Sequence, residues 1–159
     1  MSDLKKTVVE VRDRLLEQAT VGNASVCPIC ERPIKLYRRH IHTEMVVWLI
    51  GLYKLCRDGG WHTTLEIEER TDHLKAGGTN GTLLVHWGLI EKIPVENRGG
   101  GPAGRYRLTS LGEDFLHGKV SVPKSVFFLC NKIVGESIDR VKIRGALGNH
   151  FSYWSLTDA

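Results

Sequence analysis

No apolar run in this sequence approaches the about eighteen residues that a bilayer-spanning helix needs. The nearest, Met45-Val46-Val47-Trp48-Leu49-Ile50-Gly51-Leu52-Tyr53, is closed by Lys54. The amino terminus, Met1-Ser2-Asp3-Leu4-Lys5-Lys6, is followed by no apolar signal core and no small-residue cleavage site, so a soluble, cytoplasmic protein without a membrane partner is expected. Cysteine is scarce as well. Cys27, Cys30, Cys56 and Cys130 are too few and too unevenly spaced for a disulfide scaffold in a chain of 159 residues. In a reducing compartment the Cys27-x-x-Cys30 pair points instead to metal or redox chemistry.

Catalytic wording is missing too. Asp72-His73 and Asp114-Phe115-Leu116-His117 bring acid and imidazole together, but no activated nucleophile or paired-carboxylate motif accompanies them. Gly99-Gly100-Gly101-Pro102 lacks the Gly-Lys-Ser/Thr ending and following helix of a phosphate loop. A non-enzymatic protein is expected. The excess of base is small: a net charge of +4 permits a nucleic-acid partner without requiring one.

What is present suffices for one packed core, with 42% hydrophobic and 25% charged residues. Leu4, Val8, Val11, Leu15 and Ala19 recur at helical spacing behind Ser2 or Asp3 as cap, giving an amphipathic helix within residues 1–22. Its stripe suits docking on its own domain; the alternative use is a homodimer seam. Gly22-Asn23-Ala24-Ser25 breaks it. Residues 23–41 then hold Cys27-Pro28-Ile29-Cys30, Pro33 and a strand-like stretch through Ile34 and Leu36.

From Thr43, Met45, Leu49, Leu52 and Cys56 fall at spacings of four, three and four, and Asp58-Gly59-Gly60 ends that helix. A shorter helix follows with Thr64 as cap and Glu66, Glu68 and Glu69 near its start, where acids favour the helix dipole. After Gly77-Gly78, Thr79 or Asn80 caps a third helix running through Thr82-Leu83-Leu84-Val85-His86-Trp87 to Gly88. Leu89–Glu96 and Arg105–Thr109 read as a hairpin with a long glycine-rich tip around Arg98, and Ser110 as the cap of a closing helix, Leu111 to His117. Beyond it, residues 119–159 read as a small β appendage: strands flank an Asn131-Lys132 turn, Val141-Lys142-Ile143-Arg144 adds a third, and a turn falls near Ala146-Leu147.

The order from residue 42 to 118 resembles the winged helix-turn-helix superfamily. His86-Trp87-Gly88-Leu89-Ile90 is similar to a recognition helix entering a wing, and Tyr106-Arg107-Leu108-Thr109-Ser110-Leu111-Gly112-Glu113-Asp114-Phe115-Leu116 to the second wing strand and last helix of bacterial and phage regulators. The resemblance implies an α+β fold with a winged-helix core, carrying an amino-terminal helix, a cysteine knuckle and the carboxy-terminal β appendage. It also implies binding of double-stranded DNA in the manner of a transcriptional regulator. The recognition helix would span about 79–87 and the wing about 89–109. Thr79, Asn80 and Thr82 would stand at the helix entrance, Arg98, Arg105 and Arg107 in the wing, and Lys75 and Arg70 beside them.

Winged helices also serve as protein-interaction modules, so an adaptor that holds a protein partner through the winged helix and the knuckle is the alternative. The acids of the second helix favour it, as does the lack of any Arg or Lys between Gly78 and Glu91.

Cys27-Pro28-Ile29-Cys30 resembles a zinc knuckle, and zinc takes four ligands. His40 and His42 follow Cys30 by ten and twelve residues, but their separation of two is shorter than the usual spacing between paired histidines. Zinc held by Cys27, Cys30 and His40 or His42 is the expectation. Cys56 and Cys130 are read as buried apolar filling.

Overall fold

The structure, a computed structural model, describes residues 8–21, 25–28, 30–71, 79–94, 104–129 and 131–148. In chain order the elements begin with α1 (Val8–Thr20), β1 (Ser25–Val26), β2 (Pro33–Ile34), β3 (Tyr37–His40) and α2 (Thr43–Leu55). A 3₁₀ turn (Cys56–Asp58), β4 (His62–Thr63), α3 (Thr64–Glu69), a 3₁₀ helix (Thr79–Trp87), β5 (Ile90–Pro94) and β6 (Gly104–Leu108) follow. The chain continues through α4 (Ser110–Leu116), β7 (Val122–Pro123), β8 (Ser125–Leu129), β9 (Lys132–Glu136), β10 (Arg140–Val141) and α5 (Ile143–Leu147). The fold is mixed α+β with small antiparallel sheets. Among the described residues no helix is long and apolar enough to cross a membrane.

The chain divides into two compact units, one of Met1–Arg39 with Ser125–Ser137, the other of His40–Lys124 with Ile138–Ala159. In the first, α1 buries Val11, Leu15 and Ala19, the stripe its spacing predicts; Leu4 lies outside the described residues. β1 and β2 pair as a short hairpin whose turn holds the two cysteines. β3, β8 and β9 form a three-stranded sheet with β8 in the middle. Arg38 of β3 donates from Nε to the Ser125 hydroxyl at 3.2 Å and lies over the Phe127 ring. Lys132, expected in the turn of this hairpin, pairs instead with Leu129 as the first residue of β9. Asn131 takes φ +62°, a left-handed conformation that asparagine tolerates better than lysine does.

The second unit is organised around α2. Met45 through Leu52 are all buried, so this helix is apolar on every side and serves as the core rather than covering it. Gly51 lets Ile67 and Thr71 approach: a Cβ there would stand 2.5 Å from the Thr71 methyl. Trp48 meets Tyr106 of β6 edge-on at 5.6 Å. At the other end, Thr43 donates its hydroxyl to the Ala146 and Leu147 carbonyls, tying α5 to α2.

The third predicted helix forms, but as 3₁₀. Its period of three stacks Gly81, Leu84 and Trp87 on one buried face. A side chain at Gly81 would enter the Trp48 indole, so the glycine sets how closely this helix lies on α2. β4, β6 and β5 form a second three-stranded sheet with β6 central. The Thr109-Ser110-Leu111-Gly112 wording has a packing explanation. Thr109 caps α4, accepting from the Gly112 N–H at 3.0 Å while its hydroxyl donates to the Gly88 carbonyl at 2.6 Å. A Cβ at Gly112 would collide with the Leu89 carbonyl.

Several expectations shift by a residue or more. The cap of α3 is Thr63, in a capping box with Glu66, and that of α4 is Thr109, because a cap must itself have extended backbone. The strand expected at Val141–Arg144 stops at Val141, and Ile143 opens α5, burying Ile143, Ala146 and Leu147. Residues 119–159, read as one appendage, are shared between the units: the β8–β9 hairpin belongs to the first, whereas β7 pairs with β10 in the second.

Candidate nucleic-acid interface and cysteine turn

Along β6, Arg105 is exposed, Tyr106 buried and Arg107 half-buried, the alternation of a strand covered on one face. Arg105 stands opposite Thr63 of β4 and Ile93 of β5, and Arg107 opposite Glu91. Two of the arginines expected in a wing therefore share the outer face of this sheet. Arg107 Nη2 meets Glu91 Oε2 at 2.6 Å, and its guanidinium lies 4.6 Å from the centre of the Trp61 ring. Both partners of the ion pair are about half exposed, which limits its worth to about 0–1 kcal/mol. Trp61 and Glu91 are neighbours that sequence reasoning did not assign, since only the strand register brings them to Arg107.

Beside Arg105 sits the α3 capping box. The Glu66 carboxylate accepts from the Thr63 N–H at 2.6 Å and the Thr63 hydroxyl at 2.8 Å. The Thr63 backbone bond and then its hydroxyl bond hold the Glu66 carboxyl below the ordinary range, with smaller help from His62 and Arg105. Arg105 thus faces one carboxylate committed to a cap and keeps its own side chain in solvent.

Of the residues expected at the helix entrance, Thr79 opens the 3₁₀ helix, Asn80 is exposed and Thr82 is half-buried. His86, the last residue but one of this helix, is partly buried, and desolvation lowers its pKa. Arg70 ends α3 and is exposed. Lys75 and Arg98 lie outside the described residues.

In the first unit, Cys27 is half-buried and Cys30 exposed. The Cys27 N–H donates to the Arg32 carbonyl, and the Glu31 N–H to the Cys27 carbonyl, each at 2.9 Å. Both cysteines line a cavity of about 380 Å³. This pair fits half of a tetrahedral zinc site. His40 closes β3 and His42 precedes α2, both exposed. Among the described residues no group of three or more His, Cys, Asp or Glu side chains is gathered as a metal would require. Cys56 is half-buried, its thiol 3.7 Å from the Gly60 carbonyl, and Cys130 lies outside the described residues.

Comparison of the chain with protein-family models, curated proteins and solved structures finds no match.

Proposed function

We propose that residues 42–118 form a winged helix-turn-helix that binds double-stranded DNA in the manner of a transcriptional regulator, without enzymatic activity. The observation that carries this reading is the strand order β4-β6-β5, with β4 inserted between α2 and α3 and the β5–β6 pair following the 3₁₀ helix. That is the layout in which a third helix enters the major groove while a wing sets cations against phosphates. Asn80 at the helix entrance and Arg105 on the sheet face are exposed for those tasks, and Arg98 falls in the connection between the wing strands.

Polarisation on mixed genomic duplexes at about 50 mM and about 200 mM salt tests it, since phosphate contacts release counterions and weaken as salt rises. Binding at the lower salt that fades at the higher is the expected result. No binding at the lower salt sinks the regulator reading. The alternative, an adaptor for a protein partner, is favoured by the Glu91 carboxylate on Arg107 and by the lack of any Arg or Lys between Gly78 and Glu91.

A further inference from the structure

The β1–β2 turn is bent more sharply than the pairing of two short strands requires. Glu31, directly after the second cysteine, adopts φ +55°, a left-handed conformation uncommon for a residue with a side chain. The chain doubles back there: the Cys27 N–H reaches the Arg32 carbonyl, and the Cys27 carbonyl accepts from the Glu31 N–H, each at 2.9 Å. A bond from residue i+4 back to residue i closes one helical turn. On a turn of that pitch, Cα atoms three residues apart stand about 5 Å from each other. A disulfide takes Cα separations of about 4.4–6.8 Å. Cys27 and Cys30 are thus set within bridging reach, along one cavity.

The two thiols differ in access. Cys30 is exposed and Cys27 half-buried, unlike cysteines used as apolar filling. An incoming sulfur therefore meets Cys30 first. The rest of the cavity, about 380 Å³ in volume, fits what could bring that sulfur. Arg32 and Lys35 supply two cations, Tyr37 and Phe128 offer ring surface, and no carboxylate is among the described residues that line it. That lining complements a small disulfide carrying carboxylates of its own.

We propose that Cys27 and Cys30 form a dithiol site that exchanges with an anionic, low-molecular-weight peptide disulfide and closes to a Cys27–Cys30 disulfide. Cys30 gives its proton to solvent, and its thiolate attacks one sulfur of the incoming disulfide, whose S–S bond breaks as one thiolate leaves. Cys27, deprotonated likewise, attacks Cys30 Sγ in the mixed disulfide, forms the bond within the turn and releases the second thiolate. Each leaving thiolate takes up a proton from solvent. Two electrons pass from the protein's thiols to the incoming disulfide, which ends as two thiols. The exchange is stoichiometric and reversible, so it modifies the chain rather than turning over a substrate.

Incubating the full chain with glutathione disulfide, followed by acid quench, alkylation and peptide mapping by mass, tests this. The expected product is two hydrogens lighter than the reduced chain, has its bond mapped to Cys27 and Cys30, and retains no glutathione. Cys27→Ser is expected to stop after the first step with glutathione held on Cys30, whereas Cys30→Ser reacts more slowly, at Cys27. Arg32→Glu with Lys35→Glu should slow the first step about tenfold with glutathione disulfide. With uncharged hydroxyethyl disulfide the same double variant should react at the wild-type rate.

Stable glutathione adducts on both cysteines of the wild-type chain overturn the pairing, as does a disulfide joining either one to a cysteine elsewhere in the chain. Cys30→Ser reacting as fast as Cys27→Ser overturns the order of attack, and equal slowing with both disulfides overturns the role of the cations. Thiols that stay unreacted overturn the site, as does a chain that carries zinc by elemental analysis and reacts only after chelation. The wild-type mapping needs no variant to fold. None of these readouts involves DNA, so they stand apart from the reading of the second unit.

Discussion

The indole N–H of Trp87 donates to the Pro123 carbonyl at 2.7 Å in a buried position, pinning the end of the 3₁₀ helix to β7. Trp48, more deeply buried still, has an indole nitrogen without a hydrogen-bond partner among the described residues. The same substitution should therefore cost differently at the two sites. Trp87→Phe leaves the Pro123 carbonyl without its donor, adding about 1–3 kcal/mol to the loss of volume. Trp48→Phe discards a donor that had no partner, leaving the volume loss alone. Urea denaturation of both variants measures the gap, and equal costs would count against the pairing.

Gly81→Ala should be destabilising despite alanine's better helix propensity. The new methyl enters the Trp48 ring system, and overpacking of this kind costs about 1–3 kcal/mol. Gly59, with φ +72° and open space around its missing Cβ, is a control in which only backbone strain acts. A Gly81→Ala chain as stable as the wild type would show that this helix does not rest on Trp48.

His86 makes stability depend on pH in a defined direction. Burial lowers its folded pKa beneath the ordinary value of 6.5. The unfolded chain therefore binds this proton first as the solution is acidified. The stabilising contribution is complete above the unfolded value and is lost as pH falls from there through the folded value. Denaturation of wild type and His86→Gln at about pH 7.5 and about pH 5.5 should show the wild type losing more. Parallel losses would remove His86 as the cause.

The two sheet-face arginines should differ as DNA contacts. Arg105→Ala is expected to weaken binding on every sequence and to reduce the salt slope by about one, the signature of a single phosphate contact. Arg107→Ala should weaken it further, because Glu91 then stands on the same face without its cation. A slope unchanged in both variants would move the contact surface away from this sheet.

Replacing Cys27 and Cys30 together with serine should loosen one unit and spare the other. Hydrogen exchange is expected to quicken in α1, β1–β3 and the β8–β9 hairpin while α2 and the 3₁₀ helix keep their protection. The latter rest on Trp48, Leu84 and Phe115, each at 0% exposure, and need no metal. Loss of protection throughout would mean that the two units unfold as one.

Much of the second unit was legible because its signals are local. The spacing of Met45, Leu49 and Leu52 gives α2, and Gly88 with Thr109 marks the passage into and out of the hairpin. The caps were misplaced by one residue because threonine and serine neighbours differ only in backbone conformation, which sequence does not display. The 3₁₀ character of residues 79–87 was hidden in the same way: Gly81, Leu84 and Trp87 also satisfy part of a helical stripe. At the candidate interface Arg105 and Arg107 could be picked out by their alternation with Tyr106, but Trp61 and Glu91 needed the register. The partnership of β3 with β8 left no trace in the sequence, for Arg38 and Ser125 lie 87 positions apart.

That separation orders events during synthesis. A ribosome releases α1 and the cysteine turn first, yet the strand that completes the β3-β8-β9 sheet emerges only after the whole of residues 40–124. The amino-terminal unit must wait, partly exposed, while the middle of the chain matures; closing so long a loop early carries an entropic penalty that local contacts do not offset. A chain halted near residue 124 would hold an orphaned β3 and no α5 to close over Thr43. During synthesis this unit can therefore be completed only once a hairpin arrives from the far end of the chain.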